Sequence, residues 1–469
     1  MTQTVSLPLW LLILILLFAA VTASTHLLFP SVRWFFRRRA ERVVARLNER
    51  LQRPIQPFKL LRRQDMIQRV IYDPDVVRAV QHYSVDQKVR EDVAFEKARH
   101  YAREIVPSFS ASAYFGFAIR ASKWLSTKLF EVRLHRIDVE ALEGIDPDAT
   151  VVFVMNHRSN FDYVLVTYLA ASQSALSYAV GEWARVWPLS RLIRAMGAYF
   201  IRRRSRNELY RKVLSVYVRR ATEAGVTQAV FPEGGLSRNG LVGEPKLGIL
   251  SYIVEGWHPE GRDVVFVPVS LNYDRVVEDR ILVAADRDPN HRFKASAPEA
   301  IRFTIRYVRR RIQGKVGRFG VASVTFGCPV SLAEEAAGGG RVVERLARRL
   351  TGDIRANVPV LTTPLVAVAL VNLDGAGTVQ QIGAKMADLL KSVPKTAMVD
   401  AVAPDDESAL RRELDVLTLR QILTREGEVY RIADDALASY YANSIRQHFD
   451  AAAEFPAPLP NGNGKSKKS

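Results

Sequence analysis

The chain is 469 residues long, 48% of them hydrophobic, and carries a formal net charge of +18. That is enough apolar content for roughly two or three domains, and enough positive charge to call for an anionic partner, either nucleic acid or an anionic membrane surface with phosphorylated or acidic ligands. The single cysteine, Cys328, excludes an internal disulfide and a thiolate metal cage, and no other pattern asks for a metal.

In chain order, residues 7–29 come first, with no charged side chain other than His26 when protonated. As a helix this stretch reaches about 34 Å, enough to cross a hydrocarbon core of about 30 Å. No Lys or Arg precedes it, which argues against a secretory signal, whereas Arg33, Arg37, Arg38, Arg39 and Arg42 follow it. The expectation is an uncleaved transmembrane anchor, in a bacterial inner membrane, with everything after it in the cytoplasm. Residues 33–129 read as a helical domain, in which Met66, Ile67, Val70 and Ile71 share one buried face before Pro74 stops the helix. Residues 109–130 mix Tyr114, Phe115, Phe117 and Trp124 with Arg120, Lys123 and Lys128, which suits the interfacial plane of a bilayer or an ordinary core helix.

Residues 130–335 alternate strands with helices in α/β fashion. The run Thr150-Val151-Val152-Phe153-Val154-Met155 is apolar on both faces, as expected of a strand between helical layers. It ends in Asn156-His157-Arg158-Ser159-Asn160-Phe161-Asp162, after which Val164, Leu165, Tyr168 and Leu169 repeat on one helix face, with Ser159 or Asn160 as N-cap. His157 therefore belongs to a strand-to-helix loop, where open α/β sheets bind ligands. Five positions of regular helix would set His157 and Asp162 about 140° apart, so they meet only if His157 precedes the helix and Asp162 lies in its first turn. His258 and Asp263 have the same spacing, but in a turn that enters the strand 264–267 at its N-terminal end, and His258 reads as a surface histidine.

Between Arg185 and Arg220 eleven Lys or Arg face one acid, Glu208, without an aromatic platform for base stacking, so the charge reads as an anion-seeking or merely solvated basic face. A second polar cluster there is Gly197-Ala198-Tyr199-Phe200-Ile201-Arg202-Arg203-Arg204. A third follows the strand 228–231 as Pro232-Glu233-Gly234-Gly235-Leu236-Ser237-Arg238-Asn239-Gly240, then Pro245-Lys246-Leu247-Gly248. Glycines at such places let backbone approach an anion closely. The strand 264–267 ends in Pro268-Val269-Ser270-Leu271-Asn272-Tyr273-Asp274. After Gly338-Gly339-Gly340 the chain reads as a helical region over 341–455, and 456–469 reads as a disordered basic tail.

In order and spacing over 156–274, these clusters resemble the four blocks of the glycerolipid acyltransferases, most closely the membrane-bound glycerol-3-phosphate 1-O-acyltransferases and their dihydroxyacetone-phosphate relatives. The first block matches at His157, Arg158, Ser159, Asp162 and Tyr163, and the second at Gly197, Ile201, Arg202 and Arg203. The third matches at Phe231, Glu233, Gly234, Ser237 and Arg238, then Pro245, Lys246 and Gly248; the fourth matches at Pro268, Tyr273 and Asp274. Outside that stretch only the general layout is similar. One position departs, since the family usually has Arg where Leu236 stands, and Arg204 or Arg206 is expected to compensate.

The resemblance implies an α/β catalytic domain, a mixed sheet flanked by helices, between helical N- and C-terminal regions. It implies transfer of a fatty acyl group from acyl-CoA or acyl-ACP to the sn-1 hydroxyl of glycerol 3-phosphate, giving lysophosphatidate, the first step of phospholipid synthesis. No cofactor is expected beyond that co-substrate. An alcohol needs a base to take its proton, and His157 is the expected base with Asp162 as its carboxylate partner. Arg158, Arg202, Arg238 and Lys246 supply cations for the acceptor phosphate, beside Gly234 and Ser237, and Glu233 either holds the acceptor hydroxyls or orients an arginine. The expected partners are a phospholipid membrane, the acyl donor and glycerol 3-phosphate, without nucleic acid. Dihydroxyacetone phosphate and lysophosphatidate are the alternative acceptors. A membrane-tethered basic scaffold or nucleic-acid-binding protein is the alternative of another class, and it leaves His157 and Glu233 without a task.

Overall fold

Alternation of side chains along one central strand explains how the layers of this protein are assembled. In this computed structural model, residues 44–169, 175–181, 189–202, 207–287 and 317–449 are described, with 8–19 and the single positions 22, 38, 42, 309 and 313. Eight strands form one sheet: β1 (Glu131–Arg136), β2 (Thr150–Met155), β3 (Ser177–Gly181), β4 (Tyr199–Ile201), β5 (Gln228–Val230), β6 (Val264–Tyr273), β7 (Val321–Phe326) and β8 (Val330–Ser331). Their order is β1-β7-β6-β2-β5-β3-β4, with β8 also on β6. Strands β6, β2, β5, β3 and β4 run parallel to one another, while β7 and β8 run antiparallel to β6. The sheet is thus mixed, with helices on both sides.

Every residue of β2 and of β6 is buried. Because successive side chains point to opposite faces, Val151, Phe153 and Met155 join one core with Leu165, Val269 and the buried C-terminal helix Thr362–Asn372. Val152 and Val154 join another, with Val70, Val76, Ala98, Val213 and Phe266. The helices Arg63–Ile71, Pro74–Asp86 and Glu91–Ile105 therefore share a core with the sheet through the helix Glu208–Glu223, and the described residues from Gln56 onward belong to one compact unit. Pro74 both ends one helix and opens the next, at whose N-cap the Asp73 side chain accepts the Asp75 N–H.

The described residues before Gln56 belong to a separate unit. Its described part includes a helix over 9–19 whose apolar side chains, Leu9 to Phe18, are nearly all exposed. Among the described residues no helix is long and apolar enough to cross a membrane, and positions 7, 20, 21 and 23–29 of the expected anchor lie outside them. The C-terminal region, expected to be helical, also carries a small antiparallel sheet of β9 (Ala376–Thr378), β10 (Leu423–Glu426) and β11 (Val429–Ile432), in the order β10-β11-β9. These strands are too short, and in β10 too polar and exposed, to show a period of two. The tail 456–469 lies outside the described residues.

Candidate active site

The parallel register of β6, β2 and β5 brings their carboxyl ends side by side, and the clusters of the sequence meet there. Asn156 continues β2 with its side chain: Nδ2 donates to the Leu271 carbonyl at 2.9 Å and Oδ1 accepts the Leu271 N–H at 2.7 Å. With the strand end pinned, His157 sits in the loop and Asp162 opens the helix Asp162–Leu169. His157 Nδ1 lies 2.9 Å from Asp162 Oδ2, and both residues are fully buried. Asp162 Oδ2 also accepts the N–H of Arg158 at 2.8 Å and of Ser159 at 3.0 Å, and Oδ1 accepts the Tyr273 hydroxyl at 2.6 Å. Four donors compensate the burial of one carboxylate. A carboxylate at Nδ1 favours the tautomer with the proton there, which leaves the lone pair on Nε2. Phe231 stacks on the imidazole at 4.1 Å between centroids, and Tyr163 meets it edge-on at 5.4 Å, so the ring is held on two sides.

Two carboxylates, Glu278 buried and Glu233 half-buried, brace this loop. Glu233 Oε1 accepts the His157 N–H at 2.8 Å and Oε2 accepts the Gly243 N–H at 3.0 Å, tying the third cluster to the first. A Cβ on Gly243 would stand 2.9 Å from that oxygen, so a larger residue there would push the Glu233 carboxylate aside. Glu278 Oε2 accepts the Ser159 hydroxyl at 2.8 Å and Oε1 accepts the Asn160 N–H at 2.6 Å. Burial pushes both carboxyl groups up to about 7. Glu278 escaped the sequence reading. It lies 119 residues from Ser159, and no local pattern announces the pairing.

The expected cations have different situations. Arg158 is buried, donates through Nη1 to the Gly240 carbonyl, and lies over the Tyr440 ring at 4.9 Å. Lys246 is exposed, at the start of the helix Leu247–Glu255, and its side chain runs across Gly234, where an added Cβ would be 3.0 Å from Nζ. Gly234 has φ +67, a second reason for glycine there. Ser237 binds the His157 carbonyl through its N–H at 2.9 Å and the Leu241 carbonyl through its hydroxyl at 2.7 Å, so it shapes the loop. Arg238 is exposed and donates to the Ala285 carbonyl at 3.2 Å. Arg202 follows β4 at the sheet edge, three strands from β2, a lateral distance of about 14 Å. Its guanidinium grips Glu104 with two hydrogen bonds of 2.9 and 2.7 Å and packs over Tyr101 and Tyr210. The fold therefore gathers Arg158, Glu233, Gly234, Ser237 and Lys246 around the His157 loop, and engages Arg202 elsewhere. Leu236 packs half-buried against the core, while Arg203, Arg204 and Arg206 lie outside the described residues.

Two other histidines mark the difference between a spacing and a site. His258 is exposed, and Asp263 accepts the Ser331 hydroxyl at 2.6 Å and the Ala333 N–H at 3.1 Å instead. His135 does meet Asp400, at 2.8 Å, but on β1 at the opposite sheet edge, where Ser323 and Arg133 share the same carboxylate.

Residues 136–272 match the family model described as acyltransferase, and residues 305–454 match the one described as glycerol-3-phosphate acyltransferase C-terminal region. The glycerol-3-phosphate acyltransferase of Pseudomonas entomophila (strain L48) is 27% identical over 416 residues, covering 82% of this chain and 49% of that protein. That of Shewanella woodyi (strain ATCC 51908 / MS32) is 28% identical over 437 residues, covering 86% and 52%. The chain spans about half the length of the curated relatives it matches. Among solved structures, the 1-acyl-sn-glycerophosphate acyltransferase of Thermotoga maritima aligns with 18% identity and a TM-score of 0.32, over 55% of this chain and 79% of that one.

Proposed function

Because this chain belongs to the glycerol-3-phosphate acyltransferase family, we propose that it moves a fatty acyl group from acyl-CoA or acyl carrier protein to the sn-1 hydroxyl of glycerol 3-phosphate. The observation that carries the proposal is the buried His157–Asp162 pair at the carboxyl end of β2, braced by Glu233. As the acceptor oxygen attacks the thioester carbonyl, its proton passes to His157 Nε2, and Asp162 stabilises the imidazolium that forms. Collapse of the tetrahedral intermediate breaks the C–S bond. The thiolate leaves with the proton returned from the imidazolium, and lysophosphatidate is released. Arg158, Lys246 and Arg238 supply positive charge for the acceptor phosphate. The decisive assay gives purified protein palmitoyl-CoA or acyl carrier protein, with glycerol 3-phosphate, dihydroxyacetone phosphate and lysophosphatidate in separate reactions. Turnover of glycerol 3-phosphate is expected, and turnover of lysophosphatidate alone would defeat the acceptor assignment.

The setting we propose is the cytoplasmic face of a bacterial inner membrane, with residues 7–29 as anchor. Support comes from the segment Ser112–Leu129, which turns Tyr114, Ala118, Ser122 and Ser126 inward and packs on the helix Asp162–Leu169. It exposes Phe117 and Trp124 beside Arg120, Lys123 and Lys128, with no acid in the segment. Aromatic and basic side chains on one face suit an anionic bilayer surface. A reporter fused at the C-terminus should be active only in the cytoplasm, and periplasmic activity would overturn this placement.

A further inference from the structure

Arg158 follows the expected base directly, and its charge is buried, with 2% of the residue exposed. A buried guanidinium needs partners. Among the described residues no carboxylate pairs with it. It has the Gly240 carbonyl and the face of Tyr440, and its Nε and Nη2 have no hydrogen-bond partner there. Tyr440 comes from the C-terminal region, in the helix Asp435–Asn443.

That helix is fastened to the catalytic loops at three places. The Tyr441 hydroxyl donates to Asp279 Oδ2 at 2.6 Å and accepts the Val276 N–H at 3.1 Å. Asn443 Nδ2 donates to the Asn239 carbonyl at 2.9 Å. Gly240, with φ +90, lies so close beneath the helix that an added Cβ would be 1.9 Å from the Tyr440 carbonyl oxygen. The third cluster is thus shaped to let Tyr440 reach Arg158.

We propose that Tyr440 is a positioning residue of the acceptor site: its ring holds the Arg158 guanidinium so that Nε and Nη2 meet the phosphate monoester of the acceptor. The C-terminal region then takes part in acceptor recognition. This rests on the reading of Arg158 as a phosphate ligand proposed above. A ring face against a desolvated cation, lost on truncation, corresponds to about a 3- to 30-fold weaker grip.

The test is initial-rate kinetics of the full chain with Tyr440→Leu and Tyr440→Phe, varying glycerol 3-phosphate and palmitoyl-CoA in turn. Leu should raise the glycerol 3-phosphate KM by about 3- to 30-fold, with donor KM and kcat moving far less. Phe keeps the ring and should restore most of the loss, since the Tyr440 hydroxyl has no hydrogen-bond partner among the described residues. In an Arg158→Ala background Tyr440→Leu should add nothing further. If Leu fails to fold, Tyr440→Met, equally without a π face, carries the same expectation. Wild type that turns over glycerol 3-phosphate, with a folded Leu or Met variant at unchanged acceptor KM, would overturn the inference alone. An equal loss in Phe and Leu would do so too. Wild type that ignores glycerol 3-phosphate would instead defeat the acceptor reading beneath it.

Discussion

Asp162→Ala and Asp162→Asn separate what this carboxylate does for the fold from what it does for the reaction. In the native site it accepts His157 Nδ1, the N–H groups of Arg158 and Ser159, and the Tyr273 hydroxyl. Alanine leaves four buried donors without an acceptor. At roughly 1 kcal/mol or more for each, the loss is about 4 kcal/mol, a large share of the 5–15 kcal/mol that stabilises a typical domain. Asparagine differs, because its carbonyl oxygen can stand in for Oδ2 and accept three of the donors. Its amide nitrogen then occupies the place of Oδ1, and the Tyr273 hydroxyl rotates to accept from it. The stability cost should stay near about 1 kcal/mol. What asparagine removes is the negative charge facing the imidazolium, worth about 1.5–3 kcal/mol in a charge-assisted contact. That corresponds to a kcat lower by roughly 10- to 150-fold at little-changed acceptor KM. Thermal unfolding and initial rates with saturating palmitoyl-CoA and glycerol 3-phosphate read the two effects. The reasoning is refuted if Asn keeps wild-type kcat, or if Ala is as stable as wild type.

Other outcomes follow from neighbouring groups. His157→Ala should abolish transfer while His258→Ala, at an exposed turn, is nearly silent; comparable turnover in both would void the base assignment. Burial raises Glu278 from 4.5 to about 7, so the folded protein holds this proton more tightly than the unfolded chain. Its contribution to stability is therefore full below pH 4.5 and declines as the pH rises to about 7, and Glu278→Gln should flatten that decline in urea unfolding. A steeper decline in the variant would contradict the burial argument. Arg202→Ala removes two hydrogen bonds from Glu104, which is 8% exposed, and should lower the unfolding midpoint; Lys246→Ala should leave the midpoint alone and raise acceptor KM. Calorimetry beside acceptor titrations distinguishes the two, and the opposite pattern would exchange their roles.

Much of the scaffold was legible along the chain. The apolar run of β2, the helical repeat after Asp162 and the requirement that His157 precede that helix are consequences of local periodicity, which residues a few positions apart impose on each other. Other features fell below that signal. Strands β9 to β11 span only three or four residues each, and their antiparallel pairing comes from residues far apart in the chain.

The sequence by itself determined the kinds of groups available: an imidazole and a carboxylate in one loop, glycine turns, and cations in several clusters. Only the tertiary structure decided which of them meet. Glu233 reaches His157 across 76 residues because β5 lies beside β2, and Glu278 reaches Ser159 across 119 because the chain beyond β6 turns over the same loop. Tyr440 covers Arg158 from a different region altogether, while Arg202, equally promising as a motif residue, is carried to the sheet edge and neutralised by Glu104. Strand order and helix docking are chosen by burial of the whole core, to which every distant segment contributes at once. A local pattern holds no record of that choice, so it names the chemistry without naming the partners.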